Sequence, residues 1–298
     1  MRILAIGNTF NSFSIKVDNF CHKDSEVSIN AFYSHYNGAA SVVAAIAALL
    51  GYTPTLITKI PERNQLSEFV VALGSIGVDI SQFVLTQECA ENTLVTIYDK
   101  HHDRNCYAYT PNELAFHDIS SIDYSNYDVV FFCCLSAIIV SEVFSKCRLL
   151  DKTLSVCLPS GLYCDYFDEN KLLINSDYFF LNRGEIIGLT NKEISPADIP
   201  NCLKSIDFGK TTIITTMGKD GILYKESGGE IRSFDVDPIS HIMHPEGAGD
   251  AFATGFITSL LKKHSIADCC KIGHECSKIV LGYNSILSMI RDNPILRR

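Results

Sequence analysis

The feature that most constrains this chain is a recurring alternation of short apolar, β-branched runs with helix-patterned segments. Ile3 to Ile6, Thr55 to Thr58, Val129 to Cys133, Leu154 to Leu158, Tyr178 to Leu181 and Thr212 to Thr215 read as strands. Helical patterns such as Ala39 to Leu50 and Leu66 to Gly74 lie between them. Strands that are apolar throughout are buried on both faces, and separation by helices requires crossover connections. The pattern therefore predicts an α/β fold with a doubly wound, mostly parallel sheet. With 298 residues, 47% of them hydrophobic, the chain can bury a large core, and that length suits one large α/β domain spanning 1–298 or two small ones.

Two segments break the rhythm. Residues 12–36 and 92–110 read as alternating strands, the second around the polar turn Lys100-His101-His102-Asp103-Arg104, and together they predict a small antiparallel β lid on the main domain. Phe10, Phe13, Phe20, Phe32, Tyr33, Tyr36, Tyr107 and Tyr109 cluster in the lid segments and read, in preference to an acceptor contact, as a hydrophobic sheet face whose exposure would favour a homodimer through the lid. His101-His102-Asp103 is read as a solvated turn in preference to a metal cluster. Cys270, His274 and Cys276 are read as residues of a buried helix, because no fourth zinc ligand accompanies them.

Charge and cysteine usage narrow the function. Against 34 Asp and Glu stand 25 Lys and Arg, a net charge of −9 that repels polyanions, so a nucleic-acid partner is not expected. Twelve cysteines dispersed along the chain, with adjacent pairs at Cys133-Cys134 and Cys269-Cys270, read as reduced thiols of a cytoplasmic protein. Met1 to Gly7 runs straight into strand-like sequence without signal-peptide features, and the apolar runs fall short of the roughly 20 residues of a membrane span, so no membrane partner is expected.

The strongest chemical signal is Gly247-Ala248-Gly249-Asp250 ahead of the helical stretch Ala251 to Leu261. Small residues there let backbone N–H groups approach an anion at the positive end of the helix dipole. Asp250 at the same point is suited to take a proton from an attacking hydroxyl. The bland alternative is a helix cap after a glycine turn.

This turn resembles the second signature of the PfkB (ribokinase-like) family of carbohydrate kinases, transferases that use ATP. In that resemblance Gly247, Ala248 and Gly249 form the anion hole and Asp250 is the catalytic base. Asn182-Arg183-Gly184-Glu185 resembles the family's Asn-x-x-Glu motif, which implies Mg²⁺ at Glu185 and Asn182 and nucleotide phosphate near Asn182. Thr216, Gly218 and Gly221 resemble its nucleotide-binding turn, and Asn37-Gly38 its substrate-side Gly-Gly signature, with Ser12 also on the substrate side. The implied activity is ATP-dependent phosphorylation of a hydroxyl on a sugar or sugar-like small molecule. The alternatives are a nucleoside kinase of the same fold and a non-catalytic nucleotide- or sugar-binding protein. Departures concentrate around the acceptor. Ser12 stands where the family usually has Asp, Asn37 replaces a glycine, Val42 an asparagine, and His244-Pro245 an Asp-Thr pair.

Overall fold

The computed structural model describes residues 1–292 except 89, 102, 148–153, 160–166, 169–170, 173–175, 191–193 and 241. His102 of the polar turn thus lies outside the described residues. An eight-stranded sheet carries the fold, in the spatial order Arg232–Phe234, Ile222–Lys225, Thr212–Thr216, Tyr178–Asn182, Leu154–Leu158, Val129–Cys133, Ile3–Gly7, Thr55–Ile57. The six strands from Thr212–Thr216 to Thr55–Ile57 run parallel, and the two at the other edge are antiparallel.

The period of two along each strand feeds two separate cores. Ile3, Ala5, Val129 and Phe131 pack with the helices Ala39–Leu49 and Ala248–Leu261 on one face. Leu4, Ile6, Val130 and Phe132 pack with Ala137–Cys147 and Ile199–Ser205 on the other. Double winding follows from this, since each central strand has no solvent face to spend on polar residues. The helix Ala39–Leu49 is buried along nearly its whole length, and its alanines let it lie between sheet and neighbouring helices.

A second sheet of four strands joins Phe10–Lys16, Ala31–Asn37, Thr93–Tyr98 and Arg104–Tyr109. The expectation of an antiparallel arrangement is corrected here. Each pair of sequence neighbours is antiparallel, but Phe10–Lys16 and Thr93–Tyr98 meet in parallel. They come from hairpins some eighty residues apart, joined by a crossover and not a turn, so the local hairpin rule does not reach their pairing. Register divides this sheet into two faces. Phe13 and Val95 share one with Phe32, Tyr107 and Tyr109, the last three being 56%, 60% and 63% exposed. Ser12, Ser14, Thr96 and Tyr98 lie on the other and are buried.

Candidate active site

Parallel strands end together, and their carboxyl ends gather the residues singled out from sequence. Asn182 is the register partner of Thr216, and Gly7 that of Cys133. Crevices at this edge are where open α/β sheets take their ligands. Two helix N-termini converge there. Gly38 caps Ala39–Leu49, its α-carbon too close to the Asn8 carbonyl to admit a side chain. Gly247 caps Ala248–Leu261 with φ of 81° and packs against Val42 from the first turn of the other helix.

The helix begins at Ala248, three residues earlier than its apolar pattern predicts. Its first intrahelical bond runs from the Ala251 N–H to the Gly247 carbonyl at 2.9 Å. The N–H groups of Ala248, Gly249 and Asp250 therefore lack intrahelical acceptors and remain available to an anion. Asp250 sits inside this first turn and is half-buried. Burial pushes its carboxyl up to about 6, Arg104 draws it down and Glu246 pushes it further up. A carboxylate in that range is a competent base near neutral pH.

Asn182 and Glu185 form a reciprocal cap on the helix Arg183–Thr190. The Asn182 N–H donates to Glu185 Oε2 at 2.7 Å, and the Glu185 N–H donates to Asn182 Oδ1 at 2.9 Å. The amide oxygen is thereby committed to the cap. Glu185 keeps its other carboxyl oxygen for a cation or water. Burial pushes Glu185 up to about 8 against the pull of its bonds to Asn182, and Asp250, which ionises first, raises it in turn. A carboxyl that is costly to ionise alone beside a second carboxylate fits a hard divalent cation with oxygen ligands.

Of the residues expected at the nucleotide, Thr216 ends its strand, and Gly218 and Gly221 bracket the one-turn helix Gly218–Asp220 before the chain reverses into Ile222–Lys225. Of those expected at the acceptor, Ser12 is buried with no hydrogen-bond partner for its hydroxyl, and the neighbouring Asn8 Nδ2 has none either. Two orphaned polar groups at one edge are what a hydroxyl-rich acceptor would satisfy. Asn37 is engaged otherwise. Its Oδ1 accepts the Gly38 N–H at 2.8 Å and its Nδ2 donates to Glu246 Oε2 at 3.0 Å.

Three residues were not singled out in the sequence. Asn8 is one. Arg104 opens the strand Arg104–Tyr109 and is a cation whose field reaches Asp250, Glu185 and Glu246; partial desolvation opposes its charge, but Cys106, Tyr98, Glu246 and Glu185 hold the guanidinium above its ordinary value. The only available signal was its alternation with Cys106 along a strand. Glu246 is buried and accepts from Thr96 Oγ1 at 2.5 Å and Tyr98 Oη at 2.8 Å, which ties the small sheet to the residue preceding Gly247. Burial would raise this carboxyl, but His244, the two hydroxyls and His35 together hold it below the ordinary range.

The helix Ile266–Leu281 packs beside this site, its Ser277 hydroxyl donating to the Ala248 carbonyl at 2.8 Å. Cys270 and Cys276 are buried free thiols, and His274 Nε2 pairs with the Asp237 carbonyl at 2.8 Å.

Three helix N–H groups without intrahelical acceptors, an aspartate in the same first turn and a second carboxyl at Glu185 lie at the carboxyl ends of a doubly wound sheet, an arrangement suited to phosphoryl transfer. The sequence profile of the pfkB family carbohydrate kinases matches residues 1–292, and the chain belongs to that family. Among individual proteins, it is 23% identical over 292 residues to a nucleoside kinase of Methanothermobacter thermautotrophicus, covering 94% of this chain and 89% of the relative. The ribokinase of Giardia lamblia superposes with a TM-score of 0.79 at 12% identity, covering 99% of this chain and 97% of the other. The Methanocaldococcus jannaschii nucleoside kinase, an archaeal member of the ribokinase family, superposes with a TM-score of 0.69 at 18% identity over 96% and 93% of the two chains. At such identities the structural likeness establishes the ribokinase fold.

Proposed function

We propose that the protein transfers the γ-phosphoryl group of ATP to a hydroxyl on a sugar ring, free or carried in a nucleoside. The observation that carries this reading is Asp250 in the first turn of a helix whose leading N–H groups are unpaired, its carboxyl raised to about 6 by burial. In the transfer, Asp250 takes the acceptor proton as the hydroxyl attacks. The N–H groups of Ala248, Gly249 and Asp250 hold the phosphoryl oxygens, and Arg104 adds positive charge over the same point. Ser12 and Asn8 orient the acceptor, while Thr216, Gly218 and Gly221 border the nucleotide. Glu185 would hold Mg²⁺, which when bound neutralises phosphate charge, and Asn182 positions Glu185 through the reciprocal cap.

A nucleoside acceptor is favoured by the M. thermautotrophicus relative, which spans nearly the whole chain and bears that name. Coupled-assay measurement of ADP release with Mg²⁺ across nucleosides, ketoses and aldoses decides the matter. Turnover with a nucleoside and not with free pentose is the expected result. Turnover with a free sugar alone reverses the acceptor assignment, and ATP binding without turnover on any acceptor overturns the kinase reading.

The exposed aromatic face of the small sheet supports dimerisation. Phe32 stacks on Phe13 with ring centroids 5.8 Å apart, and Tyr107 and Tyr109 continue the apolar strip into solvent. Wild-type protein is expected to scatter light as a dimer and the double variant Phe32→Glu/Tyr107→Glu as a monomer; a monomeric wild type contradicts this. Among the described residues no helix is long and apolar enough to cross a membrane. We place the protein in the cytoplasm, where ATP is supplied and where buried free thiols such as Cys133 and Cys276 stay reduced.

A further inference from the structure

Beside the proposed phosphoryl-transfer site lies a cluster that the reaction leaves unused. His35 comes from the strand Ala31–Asn37, opposite Ser12, and His244 and Glu246 come from the loop ahead of Gly247. One ligand-type atom from each lies within 4.8 Å of the other two. The imidazoles meet edge to face with centroids 5.1 Å apart, and His35 Nε2 stands 4.0 Å from Glu246 Oε2.

Three observations distinguish this cluster from ordinary packing. The His35 side chain is only 7% exposed, yet neither ring nitrogen has a hydrogen-bond partner. A buried imidazole without a partner is rare in a folded protein, because it gives up its hydration for nothing in return. The other two residues are oriented by outer hydrogen bonds. His244 Nε2 pairs with the Ser14 hydroxyl at 2.6 Å, while Glu246 accepts from Thr96, Tyr98 and Asn37. Bonds of this kind hold the imidazole and carboxylate ligands of protein-bound metals. Finally, the three residues border a cavity of about 20 Å³ shared with Val42, Tyr283 and Met289, room for a water-sized fourth ligand. With His244 Nε2 held by Ser14, Nδ1 is the nitrogen left for a metal, engaged only by a long 3.4 Å hydrogen bond from the Glu246 N–H.

We infer that His35, His244 and Glu246 bind one divalent first-row transition ion, Zn²⁺ foremost, which fastens the small sheet to the loop that sets the anion-binding turn. Two imidazoles, one carboxylate and a water suit a four-coordinate zinc, whereas Mg²⁺ prefers an all-oxygen shell. With metal–ligand bonds of about 2.0–2.2 Å, the ligand atoms of a tetrahedral site stand about 3.4 Å apart. The residues close in by roughly an ångström on binding, a side-chain adjustment. The ion is separate from the cation assigned to Glu185.

The test uses the metal's own spectrum, so it does not depend on kinase activity. Full-length protein dialysed against a chelator is titrated with Co²⁺. One equivalent should bind with the visible absorption of a four- or five-coordinate site, and Zn²⁺ should displace it. His35→Gln and His244→Gln each remove that absorption, with folding checked by circular dichroism. Ser14→Ala keeps all three ligands and weakens binding by about 10- to 100-fold. Wild-type protein that takes up neither Co²⁺ nor Zn²⁺ stoichiometrically overturns the inference, as does an absorption that survives both histidine substitutions.

Discussion

Asp250→Asn is expected to lower kcat by roughly 10²-fold or more while ATP still binds, because the substitution keeps the shape of the helix N-terminus and removes the group that accepts the hydroxyl proton. The variant should not lose stability above neutral pH. A carboxyl raised from 3.8 to about 6 on folding costs the folded state stability as pH rises through that interval, so an uncharged amide relieves the cost above it. Loss of turnover with an unchanged or higher melting temperature thus separates a chemical role from a structural one. The wild-type pH profile supplies a second readout. The base works ionised, so kcat/KM should rise with pH through about 6 and level off. Arg104 draws the Asp250 carboxyl down, and Arg104→Met should shift that acid limb to higher pH. Full turnover in Asp250→Asn removes the proposed base.

Gly247→Ala is expected to reduce turnover by about 10²-fold with a modest loss of stability. The residue sits at φ of 81°, where a side chain costs roughly 1–2 kcal/mol. A β-carbon there would lie 2.9 Å from Val42 Cγ2 and 3.4 Å from Val280 Cγ1. The turn must shift to relieve this contact, and a displacement of about an ångström at reacting groups carries a penalty of that order. Steady-state kinetics beside a thermal melt check it. A melting temperature lowered by several degrees with near wild-type kcat would show that the turn does not position the phosphoryl group.

The two substitutions probe the part of the site that was readable without coordinates. Gly247 to Asp250 is contiguous and Asn182 and Glu185 are three residues apart, so their geometry is that of one helix terminus each, settled by local hydrogen bonding. The strands were legible for a similar reason. A run such as Val129 to Cys133 is apolar at every position, which only a strand covered on both faces explains. The lid was read in outline, as alternating segments, but the parallel contact between Phe10–Lys16 and Thr93–Tyr98 was not. Nothing in either hairpin encodes which edge of the other it meets.

Glu246 shows the boundary most clearly. In sequence it was one residue of a glycine-containing turn. In the folded chain it accepts hydroxyls from Thr96 and Tyr98, about 150 positions away, and an amide from Asn37 at a separation of 209. Arg104 likewise read as the end of a polar turn, yet its charge bears on Asp250 and Glu185 from another sheet.

By itself, then, the order of residues determined the doubly wound α/β fold and brought out the Gly247–Asp250 turn and the Asn182–Glu185 spacing, because each is written in periodicity or in neighbours a few positions apart. Only the tertiary structure decided that the charges of Arg104 and Glu246 bear on Asp250, that His35 and His244 pair in the interior, and that the aromatic face of the small sheet turns outward. Those contacts depend on how two distant hairpins pair and on which side of the paired sheet faces the core. Long-range packing sets both, and it leaves no trace in local composition.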